Sequence, residues 1–597
     1  MSIRELHNIP TGNLFFLIGS PGAGKTTFSQ QAIVEALAIE RPTIVVTTEE
    51  TPAEMIMRMS KSGLREPFPD CLRFVDAFTQ TVGLSRVQRA DSLEAHCADL
   101  NSIMMAISRS RSKMNGRGML LVLDSLTSPY LLSGGEVIRF AQIYLSKIAA
   151  EGNAVLVLMD EGVGQFEDLN ALLSFADGII RLTLQGEKQM VELVKHPDLT
   201  PASYHQLLET EPDLMDALEV IDPEFNRKFI RSLFYGEDLI RPTVGDFIDP
   251  IWPNICHWSG TQWDPDGFPI ILYQLNKDDQ SETGSDLHIS FLPLKFKIMF
   301  RVLHVLKRIG IIPDDFSSIK NMKRLWRFGI PYKAGGKLEN SGKITYLPDS
   351  SQEGAHVYRI EESSDCYLLK GVGTVLASHL PPSMAGQVFS MEGKKRDWNA
   401  IETKCIGLGD PHCEVTLVPG EIDGLPATLQ KDGPTVERIH QRLIIDMSES
   451  ILTENSSPAR SQLGDAVHLH VSFHAFGFPH IAGRRAQTTV RMGGSKAGRE
   501  VAAHLMDAGL TPQEALTKLV IYLERIKAGH VHADEASFRI EENIEPLRTF
   551  YMTDIREPSC FFTTGFLNGF YNVLFGKHVR ERRCFAAGDP HCEWEIL

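Results

Sequence analysis

The chain has 597 residues, of which 43% are hydrophobic and 23% charged, and its formal net charge is -16. This length favours three or four domains over one. The composition excludes a wholly disordered or fibrous chain. The negative charge argues against nucleic acid as a partner, although a local basic patch would still permit such binding. The sequence has neither an apolar run long enough to span a membrane nor a secretory signal, so the cytoplasm is the expected location.

Short apolar runs alternate with helical patterns between residues 13 and 195. The predicted strands are Leu14–Ile18, Thr43–Thr48, Leu72–Val75, Met119–Asp124, Ala154–Met159, Gly178–Leu184 and Met190–Val194. Two of the helical patterns between them are Lys25–Ile39 and Leu93–Ser110. Continuous apolar strands separated by helices predict a largely parallel α/β sheet that helices cover on both faces. Residues 200–249 are more polar, with a helical pattern from Tyr204 to Tyr235, and are predicted to be a helical connector.

The remainder of the chain repeats itself at low identity. Leu287-His-Ile-Ser-Phe291 matches Leu469-His-Val-Ser-Phe473. Further on, Cys-Ile-Gly-Leu-Gly-Asp-Pro-His-Cys at 405–413 matches Cys-Phe-Ala-Ala-Gly-Asp-Pro-His-Cys at 584–592. Matches that occur in the same order predict two copies of one domain, which differ by insertions and are separated by a linker over residues 424–462.

A glycine-rich loop follows the first predicted strand and opens the first predicted helix. Residues 19–26 fit the phosphate-binding pattern G-x-x-x-x-G-K-[ST]. Gly22 and Gly24 permit backbone angles that turn successive N–H groups towards phosphates. Lys25 supplies positive charge to the terminal phosphates, and the hydroxyl group of Thr26 coordinates Mg²⁺. The predicted ATP site consists of Gly19, Ser20, Pro21, Gly22, Ala23, Gly24, Lys25, Thr26 and Thr27.

Acidic residues follow two further predicted strands. Asp124 ends an apolar strand and is predicted to hold Mg²⁺ through water, with a simple strand cap as the alternative. Glu49 and Glu50 follow the second strand, and the carboxyl ends of parallel strands form the ligand crevice. One of these two carboxylates is predicted to be the catalytic base that polarises the attacking water. A solvated turn is the alternative for this pair.

Together with Ala176-Asp-Gly-Ile-Ile-Arg-Leu182, these motifs resemble the RecA superfamily, and within it the KaiC/RadA-like ATPases, over about residues 10–195. The resemblance implies a RecA-like, doubly wound domain over residues 1–199 that hydrolyses Mg-ATP with Glu50 or Glu49 as the base. It also implies ring-shaped homo-oligomers, with hexamers among the expected sizes. Lys195 matches a lysine that acts on the neighbouring site in this family. The arginine expected next is absent, which predicts slow hydrolysis because such a residue is worth about 10³–10⁵ in rate.

Each copy of the repeat also carries three cysteines and one glutamate. The predicted ligands are Cys366, Glu402, Cys405 and Cys413 in the first copy and Cys560, Glu581, Cys584 and Cys592 in the second. Three thiolates and one carboxylate suffice for a closed tetrahedral Zn²⁺ site, so up to two structural zinc ions per chain are predicted. The alternative is that these cysteines are buried and act as small hydrophobic residues.

The second copy resembles the 4-vinyl-reductase (V4R) domain, which also serves as the sensor module of phenol-responsive transcription activators. The resemblance rests on Cys560-Phe-Phe-Thr-Thr-Gly565-Phe-Leu-Asn-Gly569-Phe and on Glu581…Cys592-Glu-Trp594. It covers about residues 465–597 and, more loosely, 250–417. The resemblance implies two α+β domains, 250–423 and 463–597, of a type that has a structural Zn²⁺ and an apolar pocket for a small hydrophobic ligand. The first copy departs from the pattern, since Pro381-Pro382 interrupts the helix expected there, and an altered or empty pocket is the alternative for it.

This order of domains predicts a signalling ATPase. A small hydrophobic ligand or a partner, bound by the C-terminal copies, would bias the nucleotide state or the assembly of the ATPase. A DNA-handling recombinase relative is one alternative, which the acidic charge disfavours. A tetrapyrrole-related enzyme or carrier is the other, although the sequence has no dinucleotide motif and no redox cysteine pair.

Overall fold

The computed structural model divides into two compact units, Met1–Thr210 and Glu211–Leu597. It describes residues 6–39, 41–61, 71–83, 89, 91–114, 118–163, 166–185, 188–197, 199, 201–207, 223–282, 315–328, 339–376, 379–454, 460–477, 479, 482–534, 536–550 and 557–597. The repeat match at residues 287–291 lies outside the described residues. None of the described helices is long and apolar enough to cross a membrane.

The first unit is built on a nine-stranded sheet. The strands are β1 (Leu14–Gly19), β2 (Thr43–Thr47), β3 (Leu72–Asp76), β4 (Ser92–Glu94), β5 (Leu120–Asp124), β6 (Ala154–Asp160), β7 (Gly178–Gln185), β8 (Lys188–Lys195) and β9 (Ala202–Leu207). Their order is β4-β3-β2-β5-β6-β1-β7-β8-β9. The neighbours from β4 to β7 are parallel, whereas β8 and β9 continue the sheet in antiparallel fashion. This is the RecA-like fold that the sequence predicts.

Helices cover both faces of this sheet. They are Lys25–Ala38, Pro52–Lys61, Leu100–Ser112, Thr127–Ser133, Glu136–Arg139, Ser146–Ala150 and Phe166–Ser174, with a π-helical segment at Phe140–Leu145. Alternate side chains of β1 enter two separate cores: Leu14, Phe16 and Ile18 pack on one face, and Phe15 and Leu17 on the other. A fully buried strand therefore contributes to both layers, as its continuous apolar sequence indicates.

All seven predicted strands of this unit are present, but two of the helical predictions are wrong in part. The pattern Leu93–Ser110 begins with the short edge strand β4, and the helix starts at Leu100, after Asp99 caps it by accepting a hydrogen bond from Asn101 N. The pattern Tyr204–Tyr235 begins in strand β9, and the helix runs over Pro223–Tyr235. In both segments, sheet pairing prevails over the local helical pattern.

The second unit contains two four-stranded antiparallel sheets with the same strand order. The first half has β11 (Lys343–Tyr346), β12 (His356–Glu361), β13 (Trp398–Lys404) and β14 (Cys413–Pro419), in the order β11-β12-β14-β13. The second half has β16 (His530–Ala533), β17 (Ser537–Glu541), β18 (Val579–Arg583) and β19 (Cys592–Ile596), in the order β16-β17-β19-β18. The registers also correspond, since Ile360 pairs with Cys413 and Ile540 with Cys592.

The described helices of this unit fill the space between and around the sheets. They are Pro223–Tyr235, Ile251–Trp263, Phe268–Glu282, Ile319–Phe328, Leu380–Met391, Leu425–Leu429, Gly433–Thr453, His470–Phe476, Arg484–Asp507, Pro512–Arg525, Leu547–Phe550 and Phe561–Phe575. The segment 424–462 was predicted as a linker. It instead contains the 21-residue helix Gly433–Thr453, which buries Ile439, Leu443 and Met447 in the core that both halves share.

The helices Arg484–Asp507 and Phe561–Phe575 approach each other closely because glycines on each helix lie against the backbone of the other. A Cβ atom on Gly498 would lie 2.0 Å from the carbonyl oxygen of Phe566, and one on Gly569 would lie 2.0 Å from that of Ser495. Only a residue without a side chain fits such contacts. The glycines that carry the V4R resemblance therefore have a packing role.

The two halves are joined by exchanged segments. Strand β10 (Phe247–Ile248) precedes the first half, strand β15 (Val467–His468) precedes the second, and the two strands pair antiparallel with each other. Arg241, just before β10, donates a hydrogen bond to the carbonyl oxygen of Lys527 in the second half. Arg460, before β15, donates to the carbonyl oxygen of Asn340 in the first half. Each half is thus completed by residues that precede the other.

Candidate nucleotide site and cysteine clusters

The glycine-rich loop connects β1 to the helix Lys25–Ala38. Gly22 and Gly24 have φ angles of 80° and 89°, in the left-handed region that favours glycine. Gly19 has no room for a side chain, because a Cβ atom there would lie 2.3 Å from the carbonyl oxygen of Leu182 on β7. No side chain caps the first turn of the helix. The loop and the helix N-terminus therefore offer backbone N–H groups to an anion.

Lys25 lies in this loop and is 8% exposed. Its Nζ atom donates hydrogen bonds to the carbonyl oxygens of Gly19 at 3.0 Å and Ser20 at 2.8 Å. It also lies 2.5 Å from Oδ1 of Asp160, the last residue of β6. Asp160 was not predicted from the sequence, although an acidic residue at the end of an apolar run was the available signal.

The structure brings Thr26 and Asp124 together, as the two predicted magnesium residues require. Thr26 Oγ1 donates to Asp124 Oδ1 at 3.4 Å, and Ser29 Oγ donates to Oδ2 at 3.0 Å. Asp124 is 4% exposed. Burial raises the pKa of Asp124 to about 7, with smaller upward contributions from Glu49 and Glu50 that the Ser29 hydrogen bond opposes. A cation beside Asp124 would favour its charged form.

Glu49 and Glu50 follow β2, which is paired in the sheet with β5. Glu49 Oε1 accepts hydrogen bonds from Ser125 Oγ at 2.5 Å and Ser128 Oγ at 3.2 Å. Glu50 Oε2 lies 3.2 Å from an Nη2 atom of Arg58, which the sequence analysis did not identify. Burial raises the pKa of Glu50, and Arg58 opposes this shift. The two carboxylates therefore differ in their hydrogen-bonding and charged partners.

Lys195, the predicted trans-acting residue, lies at the end of β8. Its ammonium group donates a hydrogen bond to the carbonyl oxygen of Ala176, just before β7. The next residue, His196, packs edge-on against Phe15 of β1 with ring centroids 5.3 Å apart. The role of Lys195 at a neighbouring site stays a prediction.

The first cysteine cluster consists of Cys366, Cys405 and Cys413 together with Glu402. The three Sγ atoms lie 3.5–3.8 Å apart. One ligand atom from each of the four residues lies within 4.8 Å of all the others. Backbone N–H groups of Leu376 and Gly407 donate to the sulfur of Cys405, both at 3.3 Å. These separations match the edge of about 3.8 Å in a tetrahedron with metal–sulfur bonds of about 2.3 Å.

The second cysteine cluster consists of Cys560, Cys584 and Cys592. The sulfur of Cys560 lies 3.7 Å from that of Cys584 and 3.4 Å from that of Cys592. The carboxylate of Glu581 is not in this group of ligand atoms within 4.8 Å of one another. Its Oε2 atom instead accepts a hydrogen bond from Thr564 Oγ1 at 3.4 Å. The structure therefore brings together seven of the eight predicted zinc ligands in two groups.

The shared Gly-Asp-Pro-His sequence has a structural purpose in both clusters. Asp410 accepts a hydrogen bond from Cys405 N at 3.0 Å, and Asp589 accepts one from Cys584 N at 2.9 Å. The glycines before them, Gly409 and Gly588, have φ angles of 101° and 100°. The turns that follow Cys405 and Cys584 are therefore fixed in the same way, by an aspartate that accepts a backbone hydrogen bond and by a glycine in the left-handed region.

The third thiol reaches each cluster from a different position in the chain. Cys366 lies in the short 3₁₀ turn after β12, whereas Cys560 directly precedes the helix Phe561–Phe575. This difference explains why the sequence separation from Cys366 to Glu402 exceeds that from Cys560 to Glu581. The third sulfur thus comes from a different element in each half, yet the three sulfurs lie at similar distances in both. Cysteines that served only as small hydrophobic residues would not need to meet in this way.

Comparison with known families and proteins agrees with both parts of the sequence prediction. Residues 5–196 match the model of the KaiC ATPase family, and residues 537–597 match that of the V4R domain. UPF0273 proteins of Pyrococcus horikoshii and Thermotoga maritima are 31% and 32% identical over 21% of this chain. The chain spans about half the length of these curated relatives, at 50% and 51%. A UPF0273 protein of Methanopyrus kandleri is 29% identical over 30% of this chain and 70% of its own length.

Among solved structures, the chain is similar to a KaiC-like protein of Pyrococcus horikoshii, with 21% identity and a TM-score of 0.27 over 33% of this chain and 85% of the other. It is also similar to the flagellar accessory protein FlaH of Methanocaldococcus jannaschii, with 15% identity and a TM-score of 0.27 over 34% and 87%. The family models and the sheet topology carry the assignment: this chain has a KaiC-like ATPase domain over residues 5–196 and a V4R domain over residues 537–597.

Proposed function

We propose that this chain is an ATP-hydrolysing signalling protein, in which the second unit senses a small hydrophobic ligand or a partner and thereby biases the nucleotide state of the first. The observation that carries the ATPase part is the meeting of Lys25, Thr26 and Asp124 at the phosphate loop, with Glu50 just after β2, the strand that pairs with β5. These are the charges and hydroxyl groups that a Mg-ATP site needs.

Each of these side chains has a role in hydrolysis. Lys25 neutralises charge on the terminal phosphates, while Thr26 and Asp124 hold Mg²⁺. Glu50 is the proposed base, because its raised pKa favours accepting a proton from water near neutral pH. Glu49 is already engaged by two serine hydroxyl groups, which suits a positioning role. Slow turnover follows from the absence of an arginine after Lys195.

The donor sets of both cysteine clusters fit structural zinc. Cys366, Glu402, Cys405 and Cys413 would hold one ion, and three thiolates with Glu581 or another ligand would hold the second. The hydrogen bonds that backbone N–H groups donate to the sulfurs support thiolate character. Bound zinc would link the hairpin of β13 and β14 to Cys366, and the hairpin of β18 and β19 to Cys560, and would thereby stabilise the fold of each half.

The sensor part rests on the V4R match and on the shared architecture of the two halves. We propose that the first half, over about residues 250–423, is a divergent domain of the same type, because its strand order, register and cysteine turn repeat those of the second. Ring assembly and a cytoplasmic location are further parts of this proposal. Exchange of segments between the halves supports a sensor that responds as one body.

Native mass spectrometry of the purified chain, with nucleotide titration, tests the proposal. We expect bound nucleotide, up to two zinc ions per chain, and a mass that corresponds to an oligomer. Lys25→Ala should abolish ATP binding, while the exposed control Lys147→Ala should keep it. Unchanged ATP affinity in the Lys25 variant would refute the site.

Glu50→Gln and Glu49→Gln separate the two carboxylates. We expect the Glu50 variant to bind ATP normally but to hydrolyse it about 10²–10⁴ times more slowly, as loss of a general base implies. The Glu49 variant should lose less activity. If the Glu49 variant is the slower enzyme in single-turnover measurements, the base is Glu49.

A further inference from the structure

One buried amide reaches the phosphate loop from a strand that the nucleotide motifs do not include. Gln189 lies on β8 and is 8% exposed, and its Nε2 atom donates a hydrogen bond to the carbonyl oxygen of Ala23 at 2.5 Å. Strand β8 pairs with β7, which pairs with β1, the strand that leads into the loop. The antiparallel edge of the sheet therefore contacts the phosphate loop directly.

The bond fixes the orientation of one peptide group in the loop. Ala23 lies between Gly22 and Gly24, and because glycine has no Cβ atom the peptide groups on either side of Ala23 are not held in one orientation by side-chain sterics. A loop that binds phosphate must point its N–H groups at the anion, so its carbonyl groups must point away. A donor that holds the Ala23 carbonyl disfavours a peptide flip that would present oxygen to a phosphate.

The loop is shaped around this amide. A Cβ atom on Gly24 would lie 2.3 Å from Nε2 of Gln189. The φ angle of 89° already favours glycine at position 24, and a side chain there would in addition displace the amide of Gln189. The hydrogen bond to Ala23 therefore depends on the absence of a side chain at position 24, which lies 165 positions earlier in the chain than Gln189.

We propose that Gln189 is a positioning residue of the nucleotide site, which preorganises the phosphate loop by holding the Ala23 carbonyl group away from the phosphates. This inference rests on the proposed binding of ATP. It also identifies a route of regulation. Any shift of the hairpin formed by β8 and β9 would change nucleotide affinity through this hydrogen bond, without contact between the hairpin and the nucleotide.

Gln189→Met tests the proposal, because methionine has a similar volume and cannot donate a hydrogen bond. We expect the affinity for Mg-ATP and Mg-ADP, measured by calorimetry, to fall on the order of tenfold, as for loss of a buried hydrogen bond. The KM for ATP should rise by the same factor, whereas kcat should change less than about twofold, since the lost bond acts on loop order rather than on the reacting atoms.

The matched control is Gln142→Met, the same chemical change at an exposed position of the segment Phe140–Leu145. Hydrogen exchange of the loop amides without nucleotide provides a second measurement, which should be faster in the Gln189 variant alone. Equal affinity and equal exchange in both variants would overturn the positioning role. If the unmodified chain itself binds no nucleotide, the proposed function fails instead, so the two failures are distinguishable.

Discussion

The two halves of the second unit have the same sheet and the same cysteine turn, but they complete their clusters differently. The first half gathers three sulfurs and the carboxylate of Glu402 within 4.8 Å, while the second gathers three sulfurs without Glu581. The third sulfur also comes from different elements, at Cys366 and Cys560. The turn that follows Cys405 and Cys584 is therefore the same in both halves, whereas the other members of each cluster differ in position.

The largest effect is expected from removing a cysteine of the fixed turn. Cys405→Ser and Cys584→Ser should each lose one zinc ion per chain, because each removes one of three clustered thiolates. Binding of structural zinc contributes on the order of 10 kcal/mol to small domains, so the affected half should unfold at much lower urea concentration. Metal analysis and urea unfolding provide the measurements, and a variant that keeps both ions would show that the replaced cysteine is not a zinc ligand.

The sequence predicted these clusters because the same residue types recur in both copies, with identical spacing from the glutamate to the last cysteine. This repeated spacing identified Cys405 and Cys413, which the hairpin of β13 and β14 brings together. The placement of Glu581 was less predictable, since its orientation depends on Thr564 in a different helix. The helix Gly433–Thr453 was not predicted because polar residues directly precede it in the segment 424–462. The apolar face of this helix is buried in the core that the two halves share. Asp160 and Gln189 were missed because their contacts depend on the order of strands in the sheet.

Arg241 and Arg460, which each precede one half and contact the other, test whether the two halves depend on each other equally. Arg241 and Arg460 are 0% and 3% exposed, and each donates to a backbone carbonyl group in the opposite half. Burial lowers the pKa of Arg241 to about 10, which still leaves it charged at neutral pH. Arg241→Met and Arg460→Met should each destabilise the unit by about 1–3 kcal/mol, since buried carbonyl acceptors lose their donor.

Urea unfolding of both arginine variants, with Arg442→Met as a control, measures this effect. Arg442 has a side chain that is 58% exposed, and its replacement should change stability by less than about 0.5 kcal/mol. Similar losses in the two buried variants would support equivalent exchanged segments. A large loss in only one of them would show that the exchange stabilises one half alone.

The two glutamates near the clusters should differ in their effect on metal affinity. Glu402→Gln removes a carboxylate from a group of four close ligand atoms, whereas Glu581→Gln changes a residue outside the corresponding group. We expect zinc affinity to fall about 10- to 100-fold more in the Glu402 variant. Competition with a chelator, monitored by zinc release, measures both affinities. Equal losses would mean that Glu581 moves into the second cluster when metal binds.

The smallest effect concerns the carboxylates that cap the exchanged segments. Glu362 accepts hydrogen bonds from the backbone N–H groups of Gln462 and Leu463, and Glu542 accepts them from Thr243 and Val244. Burial tends to raise the pKa of Glu362, but the bonds from Leu463 and Gln462 outweigh it and lower the pKa.

Because the pKa of Glu362 in the folded protein lies below its unfolded value of about 4.3, its ionised form stabilises the fold. This contribution is fully present above that value and is lost as the pH falls through the lower, folded pKa. Glu362→Gln should therefore reduce stability at pH 7 by less than about 1 kcal/mol, as expected for a partly accessible charge. The difference between variant and unmodified chain should shrink as unfolding is measured at lower pH. A difference that stays constant below pH 4 would mean that neutral hydrogen bonding, and not the charge of Glu362, holds the segment that precedes the second half.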